Sequence, residues 1–220
     1  MWPSRRPAGT RGARLAVAEP GPFVLATTNA NKAREIREVF GSSGLDIELV
    51  DRPAGLAEVE ETEPTLLGNA RLKARALVAA TGLPAIAEDS GIEVKALGGA
   101  PGVRSARYAG EPADDQANVD KLLSELAGTD SAEERAARFV TVAVALWPGG
   151  REIVAEGCVD GWVAPERRGN GGFGYDPVFV PLEGDGRTFG QIAELSPAAK
   201  HALSHRGRAF RELARSLKTA

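Results

Sequence analysis

An apolar run, Phe23 to Ala26, meets a polar turn, Thr27 to Asn31, after which Ala33, Ile36, Val39 and Phe40 recur at the spacing of a helix face. The pattern predicts strand, turn, helix. Leu45 to Val50 follows as a second strand, and Leu66 to Ala80 as a second helix with Thr65 as its N-cap and Gly82 just past its end. Ala85 to Ala87 returns to the sheet. Strands that alternate with helices favour an α/β fold with parallel neighbours, because a crossover helix must cover the sheet between them. Beyond Gly91 the pattern changes. Ile92 to Leu97 reads as a strand and Asp114 to Leu126 as a helix with Val119, Leu122, Leu123 and Leu126 inward. Two long strands, Arg138 to Trp147 and Arg151 to Ala164, flank Pro148-Gly149-Gly150, a turn that joins antiparallel partners directly. The expected sheet is therefore mixed. Gly169 to Gly174 is a glycine-rich loop, and Ser196-Pro197 opens a helical C-terminus.

Composition narrows the class. The chain has 220 residues, 43% of them hydrophobic and 26% charged, which suits one globular domain over 23–220. Residues 1–22 are rich in Pro, Gly, Ala and Arg and are expected to form a flexible tail. No window approaches the roughly 18 uninterrupted apolar residues of a membrane span, and the N-terminal stretch has no apolar segment of a secretion signal. The single cysteine, Cys158, leaves no partner for an internal disulfide, suits a reducing cytoplasm, and is expected to be a buried strand residue. A net charge of −3 gives no global attraction to a nucleic-acid polymer, so the expected ligand is small.

Several segments carry residues suited to chemistry. Thr27-Thr28-Asn29-Ala30-Asn31-Lys32 lies between a strand and a helix, where the positive end of the helix dipole favours an anion and Lys32 adds a full charge. It lacks the spacing of a Walker loop, and a capping turn with a solvated lysine would carry the same residues. Glu88-Asp89-Ser90-Gly91 follows a short apolar strand, so its acids should emerge at the carboxyl end of the sheet, with alternation turning only one into a cleft. Such a carboxylate can hold Mg²⁺ or orient a water, although acidic turns at strand ends are common. Asn69 and Lys73, four apart, share a helix face. Gly171 to Pro177 places Phe173 among glycines, where a flat ligand could stack on it and where a core phenylalanine would also fit. His201 and His205 have zinc-helix spacing, but no H-E-x-x-H glutamate and no third ligand accompany them.

In this order, the segments resemble the inosine/xanthosine triphosphate pyrophosphatase family, hydrolases that remove deaminated purine nucleotides. The motifs that carry the resemblance are Leu25 to Lys32, Asn69-Ala70 with Lys73-Ala74, Glu88 to Gly91, Leu97 to Gly102, Ser105 to Tyr108, Gly171 to Pro177 and Ser204 to Gly207. The resemblance implies an elongated two-lobed α/β fold around a long mixed β-sheet with helices on its faces and a cleft between the lobes. It also implies Mg²⁺ dependence and a homodimer. By the same resemblance, Thr27, Thr28, Asn29, Ala30, Asn31 and Lys32 would hold a triphosphate, and Asp89 would serve as metal ligand and as acceptor of the attacking water's proton. Ser90 would touch substrate, and Phe173, Gly174, Tyr175 and Asp176 would frame base and sugar. Lys73 and Lys200 would assist binding, while His205 and Arg206 would read the base edge. The implied reaction gives monophosphate and pyrophosphate. Other readings consistent with the residues are a hydrolase of modified pyrimidine triphosphates and a nucleotide-binding module without turnover.

Two expectations are specific to this chain. At 100° per residue on one unbroken helix, Lys200, His205 and Arg206 diverge, so their convergence requires a break before Ser204, which would then cap a new helix. Secondly, family members usually carry an acid immediately before the Asn-Ala pair as a second Mg²⁺ ligand, whereas this chain has Gly68. Either Asp89 and the phosphates hold the ion with extra water, or Glu88 or a member of the acidic run Glu58, Glu60, Glu61 and Glu63 supplies the missing ligand, with Glu88 and Glu63 the first candidates.

Overall fold

A computed structural model describes residues 21–219. Most of the expected N-terminal tail, residues 1–20, lies outside the described residues. The strands are β1 (Phe23–Leu25), β2 (Leu49–Val50), β3 (Ala85–Val94), β4 (Ala136–Leu146), β5 (Glu152–Val163) and β6 (Phe179–Pro181). The helices are α1 (Ala30–Ser42), α2 (Leu66–Thr81), α3 (Asp115–Glu125), α4 (Phe189–Leu195), α5 (Pro197–Leu203) and α6 (His205–Thr219). The sheet runs in the order β2-β1-β3-β4-β5-β6. β1 is parallel to β2 and β3, and every later pairing is antiparallel. The mixed α/β sheet expected from the alternation of elements is present.

Two apolar cores share the long strands. One gathers Phe23, Leu25, Ile36, Phe40, Phe210 and Leu213 between the sheet and the α1–α6 pair. The other gathers Ile92, Leu122, Phe139, Val159, Phe179 and Phe189 under α3 and α4. Burying each such side chain contributes about 1.5–3 kcal/mol. The cores form two lobes, and β3, β4 and β5 run through both.

Four differences from the sequence reading bear on function. Ala85–Ala87 and Ile92–Leu97 are not separate strands. β3 runs unbroken from Ala85 to Val94, because all ten residues pair with β4, and Lys95–Leu97 forms a 3-10 turn. The acids therefore lie within a strand rather than at the carboxyl end of the sheet. They still reach open space, since β1 pairs with β3 only as far as Ile86. Only Leu49–Val50 of the second expected strand is extended into the sheet. β6 and α4 were not anticipated, although Thr188 and Gln191 form the reciprocal capping box that a Thr-x-x-Gln spacing announces. Cys158 does lie on a strand, β5, but is only half-buried.

The C-terminal break occurs where convergence required it. Ser204 is extended (φ −68°, ψ 150°) between α5 and α6, and its hydroxyl accepts the Gly207 N–H at 3.0 Å. α6 then crosses β5 closely, because a Cβ on Gly157 would collide with the His205 carbonyl and the Ala209 N–H. Gly157→Ala is expected to push α6 off the sheet and to lower stability by about 1–3 kcal/mol. Urea unfolding measures this, and an unchanged midpoint would contradict the close approach.

Candidate active site

A cavity of about 760 Å³ opens beside the free edge of β3. That volume lies in the range of small-molecule sites. Thr27, Thr28, Asn29 and Lys32 line one end, Phe173, Gly174, Tyr175 and Asp176 the other, and Glu88, Ser90, Lys73, Lys200, His205 and Arg206 the space between them. Asp89 does not line it directly, because alternation along β3 turns Glu88 and Asp89 to opposite faces. Each acid is tied to a lysine that lines the cavity, Glu88 to Lys32 and Asp89 to Lys73.

The turn before α1 holds its shape through its own side chains. Asn29 Oδ1 accepts the N–H groups of Asn31 (2.9 Å) and Lys32 (3.2 Å), and Thr27 Oγ1 accepts that of Asn29 (3.1 Å). Thr28 to Asn31 stay exposed at the positive end of the helix. Lys32 reaches Glu88 at 2.7 Å. Glu88 also accepts from Ser90 Oγ at 2.5 Å, and Ser90 Oγ lies 2.7 Å from Thr141 Oγ1. Burial alone would raise the Glu88 pKa, but the surrounding charges of Lys32, Arg206 and Lys73 outweigh it and hold the carboxyl far below its usual range.

On the other face of β3, Asp89 pairs with Lys73 Nζ at 2.8 Å and accepts from Asn69 Nδ2 at 3.3 Å. The shared helix face of Asn69 and Lys73 thus converges on this carboxylate. Lys73 Nζ also lies 2.8 Å from Glu61, which in turn accepts from Arg107 at 2.8 Å. Burial raises the Asp89 pKa in spite of Lys73, and the charge of Glu61 adds to the rise. Among the described residues no three His, Cys, Asp or Glu side chains form a ready metal cage. The donor set nevertheless suits a hard cation: Asp89 and Glu61 both bring carboxylate oxygens to one positive charge, the Lys73 ammonium.

Between the turn and the aromatic loop the charges are buried. Glu35, on α1, receives Arg206 Nη1 at 2.7 Å, His201 Nε2 at 2.9 Å and Lys200 Nζ at 3.4 Å. Burial would raise its pKa, and the charges of Arg206 and Lys200 reverse that and lower it. Lys200 continues to Asp176 at 3.1 Å, and Asp176 accepts the Phe173 N–H at 3.0 Å. Arg206 and Lys200 lie 5.3 and 5.0 Å from the Phe173 ring centre. The His205 ring stacks on Phe139 at 4.4 Å with an interplanar angle of 6°. Burial, reinforced by Arg206 and Lys200, lowers its pKa well below that of a free histidine, so the ring is neutral. His205 Nδ1 and Arg206 Nε are buried without a hydrogen-bond partner among the described residues. His201 and His205 fall on separate helices and form no zinc pair. Tyr175 is part of the scaffold, its hydroxyl donated to the Ser105 carbonyl at 2.9 Å.

Glu35 was given no role in the sequence reading, Arg107 entered only within the Ser105–Tyr108 motif, and Glu61 only as one of the acids that could replace the missing metal ligand. Glu35 has a readable signal, since it lies three residues after Lys32 and borders the apolar stripe of Ala33 and Ile36.

Comparison with known proteins places this arrangement. A "dITP/XTP pyrophosphatase" of Methylococcus capsulatus is 48% identical over 198 residues, covering 89% of this chain and 96% of its own length. One from Streptomyces coelicolor is 49% identical over 194 residues, covering 87% and 94%. A HAM1 protein from Coxiella burnetii matches the fold with a TM-score of 0.80 at 39% identity, covering 91% of this chain and all of its own. The model of the Ham1 family matches residues 23–216, a span that takes in the turn before α1, the acids of β3 and the α5–α6 break, and the chain belongs to that family.

Proposed function

We propose that this chain hydrolyses non-standard purine nucleoside triphosphates, those of inosine, deoxyinosine and xanthosine, to the monophosphate and pyrophosphate, with Mg²⁺ as cofactor. The observation that carries the reading is a cavity lined by both the Thr27–Lys32 turn and two residues with buried nitrogens that lack a hydrogen-bond partner among the described residues, His205 Nδ1 and Arg206 Nε, the second 3.7 Å from Glu88. A base with a carbonyl acceptor at C6 meets donors at one end, and a polyphosphate meets Lys32 and a helix N-terminus at the other.

In this reading Thr27 to Lys32 bind the triphosphate, with Lys73 and Lys200 adding positive charge, and Phe173 to Asp176 frame base and sugar. Asp89 accepts the proton of a water whose oxygen attacks the α-phosphorus. The bond from that phosphorus to the oxygen bridging to the β-phosphorus breaks, and pyrophosphate leaves with the electron pair. Asp89 would hold Mg²⁺, and the ion would supply charge neutralisation for the phosphates. Adenine turns an amino donor toward the donors of His205 and Arg206, leaving buried groups unpaired at a cost of about 1–3 kcal/mol each. The resemblance also supports a homodimer in the cytoplasm as a single domain over 23–220. No helix among the described residues is long and apolar enough to cross a membrane.

The test is product analysis over a panel of inosine, deoxyinosine, xanthosine, guanosine and adenosine triphosphates with and without Mg²⁺. Pyrophosphate is expected from the first three, and orthophosphate as first product would sink the proposal. Asp89→Asn is expected to keep nucleotide binding and lose most turnover, because an amide cannot take the proton; near-native turnover would remove Asp89 from the role. Glu35 acts as a positioning residue for Arg206 and Lys200. Glu35→Ala takes from Arg206 its short carboxylate contact and leaves Lys200 with Asp176 alone, so a loss of up to about 3–5 kcal/mol is expected near neutral pH. Because its folded pKa is lowered, the contribution of Glu35 is present above the unfolded carboxylate range and is lost as pH falls through the folded pKa. The urea-unfolding gap between wild type and variant should therefore shrink on acidification; a gap independent of pH would show that charge is not its cause.

A further inference from the structure

Between Phe139 and Leu146, β4 is apolar except at Thr141, which is 0% exposed and does not line the cavity. Its cross-strand neighbours are Ser90 on β3 and Gly157 on β5, and α6 crosses that row at Gly157. Valine has the shape of threonine and would fill this place without a buried hydroxyl, which costs free energy unless it is hydrogen-bonded. Among the described residues the Thr141 hydroxyl has one partner, Ser90 Oγ at 2.7 Å. Ser90, and not packing, gives the reason for a threonine here.

Counting hydrogens fixes the direction of this contact. A serine hydroxyl has one hydrogen and two lone pairs. Ser90 Oγ lies 2.5 Å from Glu88 Oε2, on a carboxylate that Lys32, Arg206 and Lys73 keep charged in spite of its burial. A charged acceptor takes the hydrogen ahead of a neutral hydroxyl. A second hydrogen is needed between the two hydroxyl oxygens, and only Thr141 can supply it. Thr141 therefore donates and fills one Ser90 lone pair, and the other faces Arg206 Nη2 at 3.4 Å. Arg206 is then held on two sides, Nη1 by Glu35 at 2.7 Å and Nη2 by Ser90, while Nε has no hydrogen-bond partner among the described residues. Because a guanidinium is planar, two fixed nitrogens set the direction of the third.

We propose that Thr141, which touches no substrate, is a positioning residue for base selectivity: by donating to Ser90 it holds a Ser90 lone pair toward Arg206 and keeps Arg206 Nε aimed at the base. The inference rests on the reading above in which Arg206 meets the base edge. With valine at position 141, the Ser90 oxygen loses the donor that fixes its orientation, and Arg206 loses a fixed acceptor.

The experiment compares Thr141→Val, which keeps the shape and removes the hydrogen, with Thr141→Ser, which keeps the hydrogen and removes the methyl. Steady-state kinetics with inosine and adenosine triphosphates give selectivity as a ratio of kcat/KM values, and thermal unfolding gives stability. Thr141→Val should lower that ratio roughly five- to tenfold, chiefly by raising KM for inosine triphosphate, with stability close to wild type. Thr141→Ser should keep the wild-type ratio yet unfold at lower temperature, because a buried methyl is lost. A merely structural threonine would give the opposite order, with valine the equal of wild type and serine the poorer enzyme, and that result would overturn the inference. In a Ser90→Ala background, Thr141→Val should change the ratio no further. An undiminished effect there would show that Thr141 does not act through Ser90 and would overturn the inference too. A wild-type chain that hydrolyses both nucleotides equally well would remove the base-reading role of Arg206, and this inference with it.

Discussion

β1 ends at Leu25 while β3, its neighbour, continues to Val94, and this difference in length makes the cavity. A strand paired on both sides would have its polar backbone and both flanks covered. Beyond Ile86, β3 is paired by β4 alone, so its other edge is open along Glu88 and Ser90. Farther on, the 3-10 turn of Gly102–Arg107 closes the edge: Ser105 Oγ takes the Ile92 N–H at 2.9 Å, and Gly91 has no side chain because the Gly102 carbonyl lies against it. The open stretch between Ile86 and Ile92 gives a ligand access to residues from both faces of the strand. That is how Glu88 with Lys32 and Asp89 with Lys73 can serve one site while pointing in opposite directions.

Around that edge the protein buries charge in a self-compensating chain. From Lys32 the contacts pass to Glu88, Arg206, Glu35, Lys200 and Asp176, and end at the Phe173 N–H. Three lysine or arginine cations face three carboxylates. Desolvation of so many ions gives little net stability, but it makes each geometry dependent on the others. Because Glu35 and Lys32 lie on α1 and Arg206 on α6, the network joins the turn at one end of the cavity to the aromatic loop at the other. The Ser204 break makes this possible, letting Lys200 and Arg206 approach Glu35 from two helices.

Local signals in the sequence translated well into structure. Thr65 and Gly82 bound α2 as cap and left-handed terminator (φ 68° at Gly82), and Pro148-Gly149-Gly150 turns β4 into β5 with positive φ at both glycines. The Ser204 break followed from the angular divergence of three residues. What sequence hid were features set by distant partners. Glu88-Asp89-Ser90-Gly91 has the composition of a turn, and only the ten-residue ladder with β4 makes it strand. Glu35 looks like one more charge on a polar helix until α5 and α6 close over it. Gly68 was visible as a departure, but a Cβ there would stand 2.5 Å from Glu63 Cβ, and only coordinates show that.

The central claim is that one nucleotide spans the cavity, with polyphosphate at the Thr27–Lys32 turn and base at Phe173 and His205. A crystal structure of the full chain with Mg²⁺ and a non-hydrolysable inosine triphosphate analogue tests it most directly. The account predicts phosphates at Lys32 and the start of α1, the α-phosphate on the Asp89 side of β3, and the hypoxanthine carbonyl facing His205 and Arg206. A nucleotide bound in the reverse sense, or bound outside this cavity, would contradict it.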